Sequence, residues 1–188
     1  LNLFVDNEIA YTQLDGETYK DALANKLRIR NFVTGSVFFL EFNHREGRVT
    51  DNLNLRRALA AVFDPEELVN RVLQQPGNLP GKSLFPTWLQ GVEGKFRDEY
   101  PATERTPNIE KAKAYLEAAK AELGVDQIPP LALLVSDSPT ATKQAEYFQG
   151  LYKSKLGIDI RIDVQTFKQR LAKMTAGDFD IVGAGWGP

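Results

Sequence analysis

The sequence predicts an α/β domain with a central mixed sheet flanked by helices, and three observations carry that prediction. From Pro130 onward, short β-rich runs alternate with helical stretches, a rhythm that calls for crossover connections and parallel strand pairing. Earlier, the strand signal VFFLEF at Val37–Phe42 is followed by two helix starts, at Asp51 and at Asp64. The third is composition: 188 residues, 43% hydrophobic and 26% charged, suit one globular domain with a substantial core.

Taken in order, Leu1–Val5 alternates enough for a strand, and Asp6–Ala24 carries Ala10, Leu14 and Leu23 for one or two short helices. Leu27–Val33 sets Leu27, Ile29 and Asn31 against Arg28, Arg30 and Phe32. This fits a strand that pairs, across the turn Thr34–Ser36, with a largely buried strand Val37–Phe42 as a hairpin. Asp51 and Asn52 are N-cap types for a helix with Leu55, Leu59 and Val62 on its apolar face. Asp64 caps the next, with Pro65 at its first position and Glu66 and Glu67 opposing the helix dipole.

Between Gln74 and Pro107, five prolines and four glycines exclude long regular elements. Phe85, Trp88, Phe96 and Tyr100 make this 74–107 segment too aromatic for a free linker. It is either a ligand-facing lip or a loop pinned to its own domain by those rings. Asn108 then opens a helix with Ile109, Ala112, Leu116, Ala119 and Leu123 on one face, stopped by Gly124. The regular unit follows: strand 131–135, helix 139–156, strand 158–164, helix 167–176 and strand 179–184, with Gly157 and Gly177 at the helix ends.

In open α/β sheets, ligands bind where strands end and loops present backbone and side-chain groups. Two such ends are prominent. One is Ser136-Asp137-Ser138; the other is Gly183-Ala184-Gly185-Trp186-Gly187, whose glycines admit close approach of another backbone and whose indole offers a flat apolar face with one donor. Against these stand bland alternatives. Trp186 equally suits a core position, His44 is the single histidine and lies in a polar loop, and Asp178 and Asp180 read as a turn aspartate and a strand-entry residue.

Several function classes are excluded or disfavoured. A net charge of −2 gives no electrostatic footprint for nucleic acid, and the chain has no cysteine for thiolate ligands or nucleophiles. With one histidine, no metal cluster or histidine-based triad is expected, and GAGWGP lacks the spacing of a phosphate-binding fingerprint. No apolar run is long enough for a membrane helix. A first residue that is not methionine and the end at Pro188 suggest a piece of a longer protein.

The order L-x-F-N, a short polar loop, DNLNLRRAL, then AVFDPEELV resembles the large oligopeptide- and dipeptide-binding family of solute-binding proteins of ABC importers. Leu40, Phe42, Asn43, Arg56, Ala58, Asp64, Glu66 and Leu68 stand at the matching places. NIEKAKAYLEAA and the terminal FDIVGAGW are similar to further segments of that family, so the resemblance covers essentially the whole chain.

The resemblance implies a type II periplasmic-binding-protein-like lobe over 1–188, the second of two lobes that close over a ligand, with 74–107 as an irregular loop within it. It implies an extended oligopeptide bonded main chain to main chain, with Gly183, Ala184, Gly185, Trp186, Gly187, Ser136, Asp137, Trp88 and Phe85 as candidate ligand-binding residues. It further implies a membrane permease as partner, an extracytoplasmic location with any membrane attachment through a lipid anchor outside this stretch, a monomer, no cofactor and no catalysis.

Two departures bear on the ligand. Peptide binders continue past G-W to an aspartate that pairs with the ligand's amino group, and this sequence stops at Pro188. Some members carry an arginine just before A-G-W where this chain has Gly183, which leaves longer peptides, a sugar or a metal chelate open. Outside the resemblance stand an α/β enzyme using Ser136, Asp137 or Asp178, and a protein-interaction domain centred on the aromatic stretch 85–100.

Overall fold

The computed structural model describes residues 1–32, 34–103 and 106–187. Its strands are β1 (Val37–Phe42), β2 (Leu131–Ser136), β3 (Ile160–Gln165) and β4 (Ile181–Trp186). Its α-helices are α1 (Asn2–Val5), α2 (Gly16–Ala24), α3 (Leu53–Ala61), α4 (Pro65–Glu67), α5 (Phe96–Glu99), α6 (Ile109–Leu123), α7 (Pro139–Leu156) and α8 (Phe167–Ala176). A π-helical turn, Leu68–Leu73, continues α4.

β2 organises the sheet. Its run LALLV is buried at every position, which requires cover on both faces. On one face Leu131, Leu133 and Val135 pack with Phe148, Leu151 and Tyr152 of α7, Leu55 and Leu59 of α3 and Leu116 of α6. On the other, Leu134 joins Phe179 and Val182, with Met174 of α8 against them. The strand order is β1-β4-β2-β3: β2 is parallel to both β3 and β4, and β1 joins β4 antiparallel, making a mixed sheet flanked by helices.

The helix boundaries follow the capping chemistry. Asn52, Asp64, Asn108 and Ser138 each accept a backbone N–H of the helix they open, and Pro65 and Pro139 stand at first helical positions. Gly157 and Gly177 end α7 and α8 at φ of 70° and 74°, the left-handed region a glycine enters at least cost. α3 and α6 are also tied at their ends, where Asn52 and Asn54 donate to the Glu122 carboxylate.

Three expectations from the sequence are corrected. Leu1–Val5 is helical, closed by Val5 N–H on the Leu1 carbonyl and Asp6 N–H on Asn2; so short an apolar run does not separate strand from helix. Residues 27–32 form no strand and no hairpin with β1, whose partner is β4; Val33 lies outside the described residues. The alternation at Leu27–Arg30 is real, since Leu27 and Ile29 are half-buried between exposed arginines, but it reports one-sided burial without pairing. β1 is not largely buried either: it is the sheet's edge, with Phe38 77% exposed.

The L-x-F-N segment has a structural reason. Asn43, buried just after β1, donates its Nδ2 to the carbonyls of Gly177 (3.0 Å) and Phe179 (2.8 Å), and its backbone N–H to Asp180. Its Oδ1 accepts from Arg45 N–H, and its carbonyl accepts from the buried Thr50 hydroxyl. One amide therefore joins the end of β1 to the turn that launches β4.

Candidate functional site

β4 ends differently on its two sides. Toward β1 it is paired along all six residues, from Phe42↔Ile181 to Val37↔Trp186. Toward β2 the ladder holds only Leu133↔Ile181 and Leu134↔Val182, then stops. From Gly183 onward the backbone of β4 has a strand on one side alone, and a crevice opens between the carboxyl ends of β2 and β4. β3 lies to the other side of β2, and α7 and α8 cover opposite faces. The strand order therefore reverses across this crevice, the switch point at which open α/β sheets take ligands.

The predicted residues fall around it as follows. Ser136, half-buried, is the last residue of β2. Asp137 is exposed beyond it, its N–H donating to the Gln165 carbonyl, while Ser138 is committed to capping α7. Gly183 and Ala184 are half-buried, and Gly185, Trp186 and Gly187 are exposed, the indole at 75%. The even choice between core and surface for Trp186 resolves to surface.

The glycines differ in what surrounds them. A Cβ on Gly185 would meet the Phe38 ring at 2.8 Å, and one on Gly187 would meet Ser36 Oγ at 2.8 Å. Neighbouring side chains of the chain itself thus occupy the space beside those two. At Gly183 a Cβ would make only ordinary contacts, with Val135 Cγ1 at 3.4 Å and the Leu134 carbonyl at 3.9 Å.

Trp88 belongs to this edge. Gly35 has φ of 72°, and any Cβ there would lie 2.4 Å from Trp88 Nε1, so the indole rests on the backbone two residues before β1. From there Ser36 reaches Gly187, and Val37 pairs with Trp186. Phe85 instead packs on Phe96 at 4.7 Å between centroids, and Phe96 on Tyr100 at 5.0 Å, an aromatic cluster internal to the loop. The loop is held chiefly by Glu99, whose carboxylate accepts backbone N–H groups from Val92, Glu93 and Gly94. These bonds hold the Glu99 carboxyl below the usual range.

Two concavities, of about 350 and 340 Å³, lie elsewhere: one beside Gly47–Asn52 and Leu123, the other around Asn43, His44 and Met174. Both lie toward the end of β1 remote from the crevice, because β1 runs antiparallel to β4. They are shallow, whereas the switch point has backbone groups to offer, so the chemistry favours the crevice. His44 shares that remote end, far from Ser136 and Asp137, and no group of three or more His, Cys, Asp or Glu fit to hold a metal occurs among the described residues. Asp180 is used structurally, accepting the Ala132 N–H at 2.8 Å, and Asp178 pairs with Lys173 at 3.1 Å.

Sequence reasoning missed Gly35, Ser36 and Phe38 as parts of this edge. Thr34-Gly35-Ser36 carried only a turn signal, and Phe38 read as a buried strand residue.

Comparison with known proteins is consistent with this geometry. The family described as bacterial extracellular solute-binding proteins, family 5 Middle, matches residues 2–188. The periplasmic oligopeptide-binding protein OppA of Salmonella typhimurium is 28% identical over 169 residues, 89% of this chain and 30% of that protein. The oligopeptide-binding protein OppA of Bacillus subtilis is 27% identical over 157 residues, 80% of this chain and 27% of that one. Among solved structures, the substrate-binding domain of an oligopeptide ABC transporter from Bacillus anthracis superposes with a TM-score of 0.88 at 31% identity, covering 100% of this chain and 37% of that one. This chain spans about a third of the length of those relatives. It belongs to the family 5 bacterial extracellular solute-binding proteins.

Proposed function

We propose that this chain supplies one lobe of the ligand site of an extracytoplasmic solute receptor serving an ABC importer, and that the solute is an oligopeptide. The observation that carries the reading is the one-sided end of β4. Beyond the Gly183 carbonyl, which accepts from Arg170, strand 184–186 has no β2 partner, and an extended peptide can add along it as a strand, with little regard for its side chains. Trp186 and Trp88 line the same edge with exposed aromatic surface for those side chains. Ser136 and Asp137 face it from the end of β2.

Support also comes from relatives: one solved structure of similar fold, at 26% identity and a TM-score of 0.84, is Listeria monocytogenes OppA bound to peptide. The receptor acts without catalysis, as a monomer without a cofactor. It hands its ligand to a membrane permease, with residues 1–188 forming the second of two closing lobes and a lipid anchor elsewhere in the protein.

Native mass spectrometry of the gently purified full-length protein tests this. A ladder of adducts that fragments into heterogeneous short peptides is the expected result. A single non-peptide adduct overturns the oligopeptide assignment, and a cleft that stays empty in peptide mixtures overturns the receptor reading.

A further inference from the structure

One charge at the crevice has no counterpart among the described residues. Arg170 stands in the first half of α8 and reaches β4, where Nη1 donates to the Gly183 carbonyl. Its Cζ lies 5.9 Å from the centre of the Phe167 ring, which is 64% exposed. Its Nε is buried and has no hydrogen-bond partner. Among the described residues no carboxylate forms an ion pair with it. The acid that meets α8 from β3, Asp163, is taken by Lys173 at 2.6 Å and by Gln165 at 2.6 Å, and Asp178 goes to the same lysine.

That arrangement is costly unless something completes it. A guanidinium carries five N–H donors, and a half-buried one is ordinarily matched by a carboxylate that takes two of them in parallel. Here one donor is spent on a neutral carbonyl, another is desolvated without return, and no described carboxylate matches the positive charge. The bond to Gly183 also fixes the fork's position, so little side-chain freedom is left to lose when an anion arrives.

The place is informative too. Gly183 is the first residue of β4 beyond the β2 ladder, so the guanidinium stands at the mouth of the switch-point crevice. Strand periodicity puts Ala184 and Trp186 on the α8 face of the sheet with Val182, the same face from which Arg170 and Phe167 come. Cation, exposed rings and open backbone thus share one side of the crevice.

We infer that Arg170 is a specificity-determining residue of this crevice, and that its guanidinium receives a carboxylate of the bound peptide, either the C-terminal group or an acidic side chain. The inference rests on the oligopeptide reading above. It adds a charge preference to a main-chain interaction that is itself indifferent to charge.

The test uses the full-length protein and a pool of tri- to hexapeptides offered as free acids and as the matching C-terminal amides, with bound fractions read by mass spectrometry. A second pair of pools, differing only in Glu against Gln at internal positions, separates the two sources of carboxylate. The wild type is expected to favour the carboxylate form of one pair about ten- to a hundredfold, the usual worth of a charge-assisted hydrogen bond. Arg170→Gln brings that ratio to about one, and Arg170→Lys, which keeps a cation in place of the fork, restores part of it. Should Arg170→Gln weaken acid and amide forms equally, Arg170 only positions Gly183 and the inference falls. Equal binding of both forms by the wild type overturns it as well, leaving the peptide reading intact. If the wild type takes up no peptide of either pool, the peptide reading fails and this inference with it.

Discussion

Two stretches of this chain reach order by opposite means. The unit 131–187 is held by side chains removed from water: Leu131, Leu133, Leu134, Ile158, Ile181 and Val182 are at most 2% exposed, sandwiched between α7 and α8. The loop 74–107 leaves Leu79, Leu84, Phe85, Trp88, Val92 and Tyr100 between 41% and 92% exposed and is held by its own polar and aromatic contacts. Glu99 gathers three backbone N–H groups, Phe85, Phe96 and Tyr100 pack as tilted rings, and Trp88 leans on Gly35. The first stretch is a rigid scaffold that fixes where β2 and β4 separate. The second is a surface that keeps several aromatic groups exposed to solvent.

The contrast predicts that core damage is global and loop damage local. The largest effect should follow Leu133→Ala. Leu133 is fully buried in the central strand and faces α7, so the change leaves a cavity between sheet and helices and should cost about 2–5 kcal/mol. Urea unfolding followed by circular dichroism should show a lower midpoint in a single transition. A loss under about 1 kcal/mol would mean that the core collapses around the cavity, and that the unit is softer than its packing indicates.

A smaller loss is expected from Gly35→Ala, which acts where the two regions meet. The residue must keep φ of 72° while its new Cβ drives into the Trp88 indole, so the left-handed strain of about 1–2 kcal/mol is joined by expulsion of the ring. Tryptophan emission should shift to the red as Trp88 gains water. Far-ultraviolet dichroism should barely change, because the sheet and α7 are untouched. Unchanged emission would show that the loop follows Gly35 rather than resting on it.

Much of this division was legible in the sequence. The 131–187 unit announces itself because its residues obey local rules: Ser138 and Pro139 start α7, Gly157 and Gly177 stop helices, and LALLV, placed within that alternation, reads as a strand. The loop's irregularity was equally plain from its prolines and glycines. What local rules could not supply was partnership. Val37–Phe42 signals a strand but carries no address, and its partner lies more than a hundred residues away at β4 rather than in the adjacent 27–33 segment. The same limit hid Arg170, since the position of a side chain relative to Gly183 depends on how α8 crosses the sheet. Gly185 and Trp186 stand out in the sequence because a glycine-rich strand end is itself unusual, whereas the ring that fills the space beside Gly185, Phe38, looked like any other strand residue.

The smallest effect belongs to Glu99, and it separates the two regions most cleanly. Its carboxylate, held ionised by the N–H groups of Glu93, Val92 and Gly94, has a folded-state pKa below that of the unfolded chain, ordinarily about 4.3. The ordering it provides is therefore present above that value and is lost as pH falls through the lower folded-state value. Hydrogen exchange at the amides of residues 92–94, corrected for the intrinsic rate at each pH, should accelerate as pH falls below the ordinary carboxylate range. In Glu99→Gln the same amides should exchange faster already at neutral pH, because a neutral side-chain amide oxygen accepts less strongly than a carboxylate. Amides of β2 in either case should stay protected, since nothing in Glu99's reach enters the sheet's core. If β2 loosened together with residues 92–94, loop and scaffold would be one cooperative unit, and the polar contacts of the loop would be as costly to open as the packing of the sheet.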